Sequence, residues 1–208
     1  MHPHRFLIPK TLYVFVGPRD VDAPDEPQVS PRVEDVHPDF RGASEVFKIL
    51  RAAKFAVDRR DDIVAHRDQI KKTVLGNAAA GHQYSAVEAY EAEEQRAVLW
   101  HRVREFMERY EFMAWPVNPV PPFPADQETV TEINGQSLET YVDWGALRHV
   151  ISVVGLPSVS MPCGFTAAGL PVGLQLTGRH HADFEVLQLA HAFEGETQFW
   201  REHPPVAL

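Results

Sequence analysis

Two blocks late in the chain, Gly155-Leu156-Pro157 and Gly169-Leu170-Pro171, set the tightest limits on its architecture. In the first, Gly155 can release a helix and Pro157, with its fixed φ, orients an incoming strand. Strand-like runs follow both blocks: Ser158-Val159-Ser160-Met161, then Val172-Gly173-Leu174-Gln175-Leu176-Thr177 in strict alternation. Pro162 and Gly164 end the first run, and Gly173 inside the second marks a close backbone approach or a bulge. Tyr141, Trp144, Leu147, Ile151 and Val154 recur at helical spacing just upstream. Phe184, Leu187, Ala190 and Phe193 form a last helical stripe, with Asp183 expected as its cap and Gly195 as its stop.

The middle of the chain reads mainly as helix. Ser85-Ala86-Val87-Glu88 is a capping box, and Leu99, Val103, Phe106, Met107 and Tyr110 line one face of the helix it opens. Before it, Ser44 is an expected N-cap for a helix carrying Val46, Phe47, Leu50, Ala53 and Val57 on one face. The charged run Asp58 to Asp62 interrupts that pattern, and a second helix is expected from about Asp61 to Leu75, stopped by Gly76-Asn77. Phe112-Met113-Ala114-Trp115 reads as a buried strand end that Pro116 stops, followed by an extended proline-rich connection to Asp126. Asn134-Gly135 predicts a two-residue hairpin between Thr129–Ile133 and Gln136–Leu138.

The first forty residues differ in texture. They hold seven of the 17 prolines, and Thr11-Leu12-Tyr13-Val14-Phe15-Val16 is their one strand-like stretch. Arg19 to Pro31 is expected to be extended and loosely held. Strands interleaved with helices imply an α/β fold.

Composition narrows the function classes. With 20 basic against 29 acidic side chains the formal charge is −9, which disfavours binding to phosphate backbones. No run approaches the ~20 apolar residues of a membrane span, and the start carries no signal-peptide core. The single cysteine, Cys163, excludes an internal disulfide and fits a reducing compartment, so the expectation is a cytoplasmic protein.

Gly155-Leu156-Pro157-Ser158-Val159-Ser160-Met161-Pro162-Cys163-Gly164-Phe165, together with Gly169-Leu170-Pro171-Val172-Gly173-Leu174-Gln175-Leu176-Thr177-Gly178-Arg179, resembles the C-terminal region of amidase signature enzymes. The resemblance continues through the helix ending near Glu194. Upstream it runs through Trp115-Pro116-Val117-Asn118-Pro119-Val120-Pro121 and the helix at Ser85, and it begins near Val36-His37-Pro38-Asp39-Phe40. It implies residues 38–208 as the C-terminal portion of the amidase signature fold, a mixed β-sheet covered by helices. Residues 1–37 are then a divergent proline-rich segment. Ser152 departs from the asparagine that family members often carry at this place before the glycine.

The resemblance also implies a chemistry: a serine attacks an amide carbonyl, a second serine in a cis peptide relays its proton, and a lysine is the ultimate base. Family members carry these residues in their N-terminal half, the serines in a glycine- and serine-rich segment. Here none of the seven serines follows a glycine or another serine, and all five lysines precede residue 73. No catalytic residue is therefore assigned. Ser158 and Ser160 share a strand face but lack oxyanion-forming glycines; Cys163 with His180 or His181 is a thiol alternative. Of the 11 histidines only His2 with His4 and His180 with His181 lie close together, without metal-ligand spacing, so no metal and no cofactor is expected. The charge runs Asp58 to Asp62 and Glu91 to Glu94 read as solvated helix faces. Trp115 and Trp144 are the residues expected to border a substrate pocket in a complete enzyme.

Three readings follow. The first is an amidase represented by its C-terminal part, from a truncated or mis-started frame or as one chain of a split enzyme. It would take a small amide only when completed by an N-terminal half or a complementary chain. The second is a non-catalytic binding or scaffold protein, and the third an enzyme using Cys163 or a histidine-bound metal. None involves nucleic acid or a membrane.

Overall fold

The computed structural model describes residues 13–16 and 32–202. The expectations for Arg19 to Pro31 and for His2 and His4 lie outside the described residues. A five-stranded sheet runs in the order β2 (Arg32–Asp35), β1 (Tyr13–Val16), β3 (Phe112–Pro116), β7 (Pro171–Gly178), β6 (Ser158–Phe165). Every pairing in it is antiparallel. A separate two-stranded ribbon pairs β4 (Glu132–Ile133) with β5 (Gln136–Ser137) across the Asn134-Gly135 turn. Asn134 and Gly135 both have positive φ, 51° and 76°, the turn geometry whose twist matches flanking strands. β2 has no counterpart in the expected elements: four residues with two acids and one arginine carry no strand signal, and β1 supplies the pairing.

Helices cover both faces, the α/β arrangement expected. Alternation along β3 sends Met113 and Trp115 to one face and Ala114 to the other. On the first face they pack with α1 (Ala43–Asp58), α4 (Ala86–Met107) and α5 (Ala146–Val154) around Val46, Leu99, Val103, Leu147 and Val150. On the second, Ala114, Met161 and Leu176 pack against Ala190 of α6 (Asp183–Thr197). The Ser85 capping box forms in both directions: the hydroxyl accepts from the Glu88 amide at 3.1 Å, and the Glu88 carboxylate accepts from the Ser85 amide at 2.8 Å. Gly155 ends α5 in the left-handed conformation, φ 67°, and its amide donates to the Ile151 carbonyl.

Several helix boundaries depart from the sequence reading. The N-cap of α1 is Gly42, φ 89°, and Ser44 sits inside the helix. Its buried positions are Ala43, Val46, Ala52 and Ala56, while Val57 is exposed, because α1 meets α3 (Lys72–Gly81) through small residues. The expected helix from Asp61 to Leu75 is instead α2 (Arg60–His66), a single 3-10 turn, and α3, broken at the extended Ile70. Gly76 and Asn77 lie within α3, and Gly81 ends it against the Ala52 carbonyl, where the missing Cβ allows contact. In α6 the N-cap is Ala182, the left-handed residue ending the helix is Gln198, and the buried face carries Val186 and Ala190. Phe184 and Leu187 point to solvent at 68% and 59% exposure. Their apolar character has no partner within the described sheet face.

Candidate functional site

The chain after β3 turns away from the sheet as Val117-Asn118-Pro119-Val120-Pro121-Pro122-Phe123, held to β7 by the Val117 amide donating to the Gly173 carbonyl at 3.0 Å. A Cβ on Gly173 would stand 3.1 Å from a Val117 methyl carbon, so this is the close backbone approach that a glycine inside a strand marks. Beneath the connection lies a cavity of about 770 Å³. Trp115, Trp144, Phe123, Cys163, Thr166 and Leu174 are among the residues that line it, with the prolines of the connection. Trp115 and Trp144, the two residues expected at a substrate pocket, are thus brought together from positions 29 apart in sequence. A mainly apolar concavity with a few polar groups is the general form of a small-molecule site.

Trp115 is 2% exposed, sits edge-on to Phe40 at 6.4 Å, and its indole Nε1–H makes no hydrogen bond. Trp144 belongs to the 3-10 turn Asp143–Gly145 that leads into α5. Phe123 meets its ring edge-on at 5.9 Å, and the Arg148 guanidinium covers it at 4.4 Å. Cys163 lines the cavity half-buried, and burial pushes its thiol above the usual range, which keeps it protonated at neutral pH. His180 and His181 do not join it: they are exposed before α6, their rings 4.0 Å apart, beside grooves under Trp100 on α4. The thiol–imidazole pairing is therefore not assembled. Among the described residues no group of three histidine, cysteine or carboxylate side chains is placed to hold a metal.

Ser158 and Ser160 share the exposed face of β6, as the strand spacing requires. The Ser158 hydroxyl shares a 2.7 Å hydrogen bond with Thr177 Oγ1, and Gln175 Nε2 donates to the same oxygen at 3.4 Å. Both serines therefore belong to a polar sheet face built with Gln175 and Thr177, not to a nucleophile–base pair. Among the lysines, Lys48 is more enclosed than an exposed helix face suggests and lies 2.8 Å from Asp143. Burial works against its ammonium form, but the Asp143 hydrogen bond and charge outweigh this and hold its pKa above the usual range. Lys54 pairs with Asp58 at the surface.

Beside the cavity stands a cationic, aromatic cluster that the sequence reading missed. Arg51 covers Phe55 at 4.3 Å and donates from Nη2 to the Tyr141 hydroxyl at 3.2 Å. His149 stacks flat on Phe47 at 3.8 Å, and burial, aided by the charges of Arg148 and Arg51, depresses its pKa to about 4. The signal was present as four-residue steps: Phe47, Arg51 and Phe55 along α1, and Trp144 and Arg148 at the start of α5.

The depressed histidine has a measurable consequence. Unfolded, His149 titrates near pH 6.5. Folded, it takes up a proton only near 4, so the unfolded chain binds more protons between those values. Stability supplied by the neutral ring is complete above pH 6.5 and lost as pH falls toward 4. The loss is expected to be about 2 kcal/mol after allowance for solvent screening. Urea midpoints at pH 7.0 and 4.5 check it: the difference should shrink by about that amount in His149→Phe.

An antiparallel sheet between helical layers, with an aromatic-lined cavity beside β3 and β7, defines an α/β protein. The sequence model of the Amidase family matches residues 49–187, and the chain belongs to that family. It is 28% identical over 160 residues to a glutamyl-tRNA(Gln) amidotransferase subunit of Geobacillus kaustophilus, covering 77% of this chain and 30% of the relative. Among solved structures, 6-aminohexanoate cyclic dimer hydrolase superposes with a TM-score of 0.70 at 16% identity, over 84% of this chain and 39% of that one. A bacterial aryl acylamidase of the amidase signature family gives 0.67 at 20% identity, over 78% and 35%. The chain thus spans about a third of the length of the relatives it matches. Among its described residues no helix is long and apolar enough to cross a membrane.

Proposed function

We propose that this chain forms the C-terminal wall of an amide-hydrolysing site and that nucleophile and base reside on polypeptide outside these 208 residues. The observation that carries the reading is the convergence of Trp115 and Trp144 on one cavity of an Amidase-family fold, while among the described residues the serines and lysines form no Ser-Ser-Lys set. The polar face of β6 and the exposed Phe184 and Leu187 of α6 support surfaces shaped to meet a complementary chain. The substrate is a small amide whose apolar part lies in the cavity against Trp144 and Phe123. The single cysteine supports a reducing, cytoplasmic setting.

The test has two arms. The chain alone is expected neither to hydrolyse anilide amides nor to label with a fluorophosphonate; labelling abolished by Ser158→Ala or Ser160→Ala would overturn the reading. Co-produced with an N-terminal amidase half bearing the Ser-Ser-Lys set, it is expected to give turnover, lowered about tenfold in kcat/KM by Trp144→Ala. Unchanged turnover in that variant removes Trp144 from the site.

A further inference from the structure

The residue before Trp144 ties the cavity wall to α1. Asp143 opens the 3-10 turn Asp143–Gly145, and its carboxylate closes the preceding loop on itself. Oδ2 accepts from the Thr140 amide at 2.6 Å and from the Thr140 hydroxyl at 3.0 Å, and the Asp143 amide donates to the Thr140 carbonyl at 3.1 Å. These bonds set the shape of the turn, but all of them lie within it. Its place is set from outside, where Lys48 Nζ on α1 meets Asp143 Oδ1 at 2.8 Å. Three residues further along the same face of α1, Arg51 donates to the Tyr141 hydroxyl of that loop at 3.2 Å.

The Lys48–Asp143 pair is enclosed, with side chains 25% and 17% exposed, whereas Glu45, another carboxylate near Lys48, is 60% exposed and 3.8 Å away. Solvent therefore screens the bond to Asp143 less. Burial works against both charges. The bond between them, with the Thr140 donors at Asp143, still keeps the carboxylate below and the ammonium above its usual pKa range. Trp144 follows directly and lines the cavity, with Phe123 of the proline-rich connection edge-on to its ring at 5.9 Å. A Cβ on Gly145 would fall 2.5 Å from His149 Nε2, so the far end of the turn abuts α5.

We propose that Lys48 is a positioning residue for the cavity: through Asp143 it fixes the Trp144 indole in the wall against which the occupant's apolar part packs. The proposal rests on the preceding reading for what occupies the cavity; the placing of the indole is measured without occupant or turnover. A wall displaced by about 1 Å gives up part of its contact with a bound molecule.

The experiment is fluorine NMR of the 208-residue chain labelled with 5-fluorotryptophan, which gives one signal for each of the four tryptophans, with Trp144→Phe identifying that of Trp144. Lys48→Gln and Asp143→Asn, the second of which keeps an oxygen for Thr140, are each expected to shift the Trp144 signal and leave those of Trp100 and Trp200 in place. The double variant is expected to move it no further than either single one, since the two groups act as one unit. Lys48→Arg, which keeps the charge, is expected to restore the position. Lys54→Gln loses a surface pair on the same helix, and Ala190→Gly weakens α6 on the opposite sheet face; both should leave the signal where it is. Titration with acetanilide, read on the same signal, is expected to show about fivefold weaker binding in Lys48→Gln and recovery in Lys48→Arg.

A Trp144 signal unmoved by Lys48→Gln and Asp143→Asn, or moved as far by Ala190→Gly, overturns the proposal. Equal acetanilide affinity in Lys48→Gln and the unaltered chain also overturns it, and leaves the amidase reading standing. A signal that Lys48→Gln moves but acetanilide does not, in any chain, removes the preceding reading and supports the placing of the indole by Lys48.

Discussion

Trp115→Ala is expected to destabilise the chain by about 3–5 kcal/mol, the range for emptying a fully packed aromatic site. Trp115 lies on β3, the central strand of five, paired with Gln175 on β7, and its ring is walled by Phe40 and the helices of the first face. Neighbours held by the β3–β7 ladder and by the packed helices cannot collapse into the vacated space, so the cavity term adds to the lost transfer energy. The measurement is the shift in urea midpoint at unchanged slope. A loss below about 1 kcal/mol would mean that the indole is not packed as described. Removing the indole N–H orphans no acceptor, because that donor is buried without a partner.

Gly81→Ala is expected to cost about 1–3 kcal/mol, by overpacking rather than by a cavity. The added Cβ would fall 2.0 Å from the Ala52 carbonyl oxygen and 2.9 Å from the Ala56 Cβ. Both contacts are to backbone or Cβ atoms, so α1 and α3 must separate, and Ala52 and Ala56 lose burial with them. Gly76→Ala, one turn and a half earlier in the same helix, meets nothing within 4 Å. It should stabilise by about 0.5–1 kcal/mol through helix propensity alone. Opposite signs from one substitution within one helix, read by thermal or urea midpoints, separate packing from propensity. If both variants stabilise, the α1–α3 contact is wrong.

The elements most legible in the sequence were those whose local chemistry and tertiary role agree. The Ser85–Glu88 box, the Asn134-Gly135 turn and the Gly155 stop are each completed within a few residues, so spacing alone defines them. The stripe Leu99, Val103 and Met107 was legible because the C-terminal half of α4 packs on one layer, and Tyr110, just past the end of the helix, joins the same cluster. Val57, Phe184 and Leu187 misled because an apolar period states that a face seeks cover, not that these described residues supply it. Gly76-Asn77 misled because Gly81, not they, carries the contact that requires a glycine. Trp115 and Trp144, expected to border a substrate pocket in a complete enzyme, both line the cavity. Arg51 and Arg148 were not read, since what sets them apart is the absence of acidic partners across α1 and α5, a fact of three dimensions.

The position of β1 carries a kinetic consequence. Tyr13 pairs with Ala114, and the strand lies between β2 and β3. During synthesis the first strand leaves the ribosome long before its central partner exists. β1 and β2 can pair early, but their docking onto β3 waits for roughly eighty further residues. Closure of so long a span makes the β1–β3 pairing a non-local, entropically costly step in building the sheet.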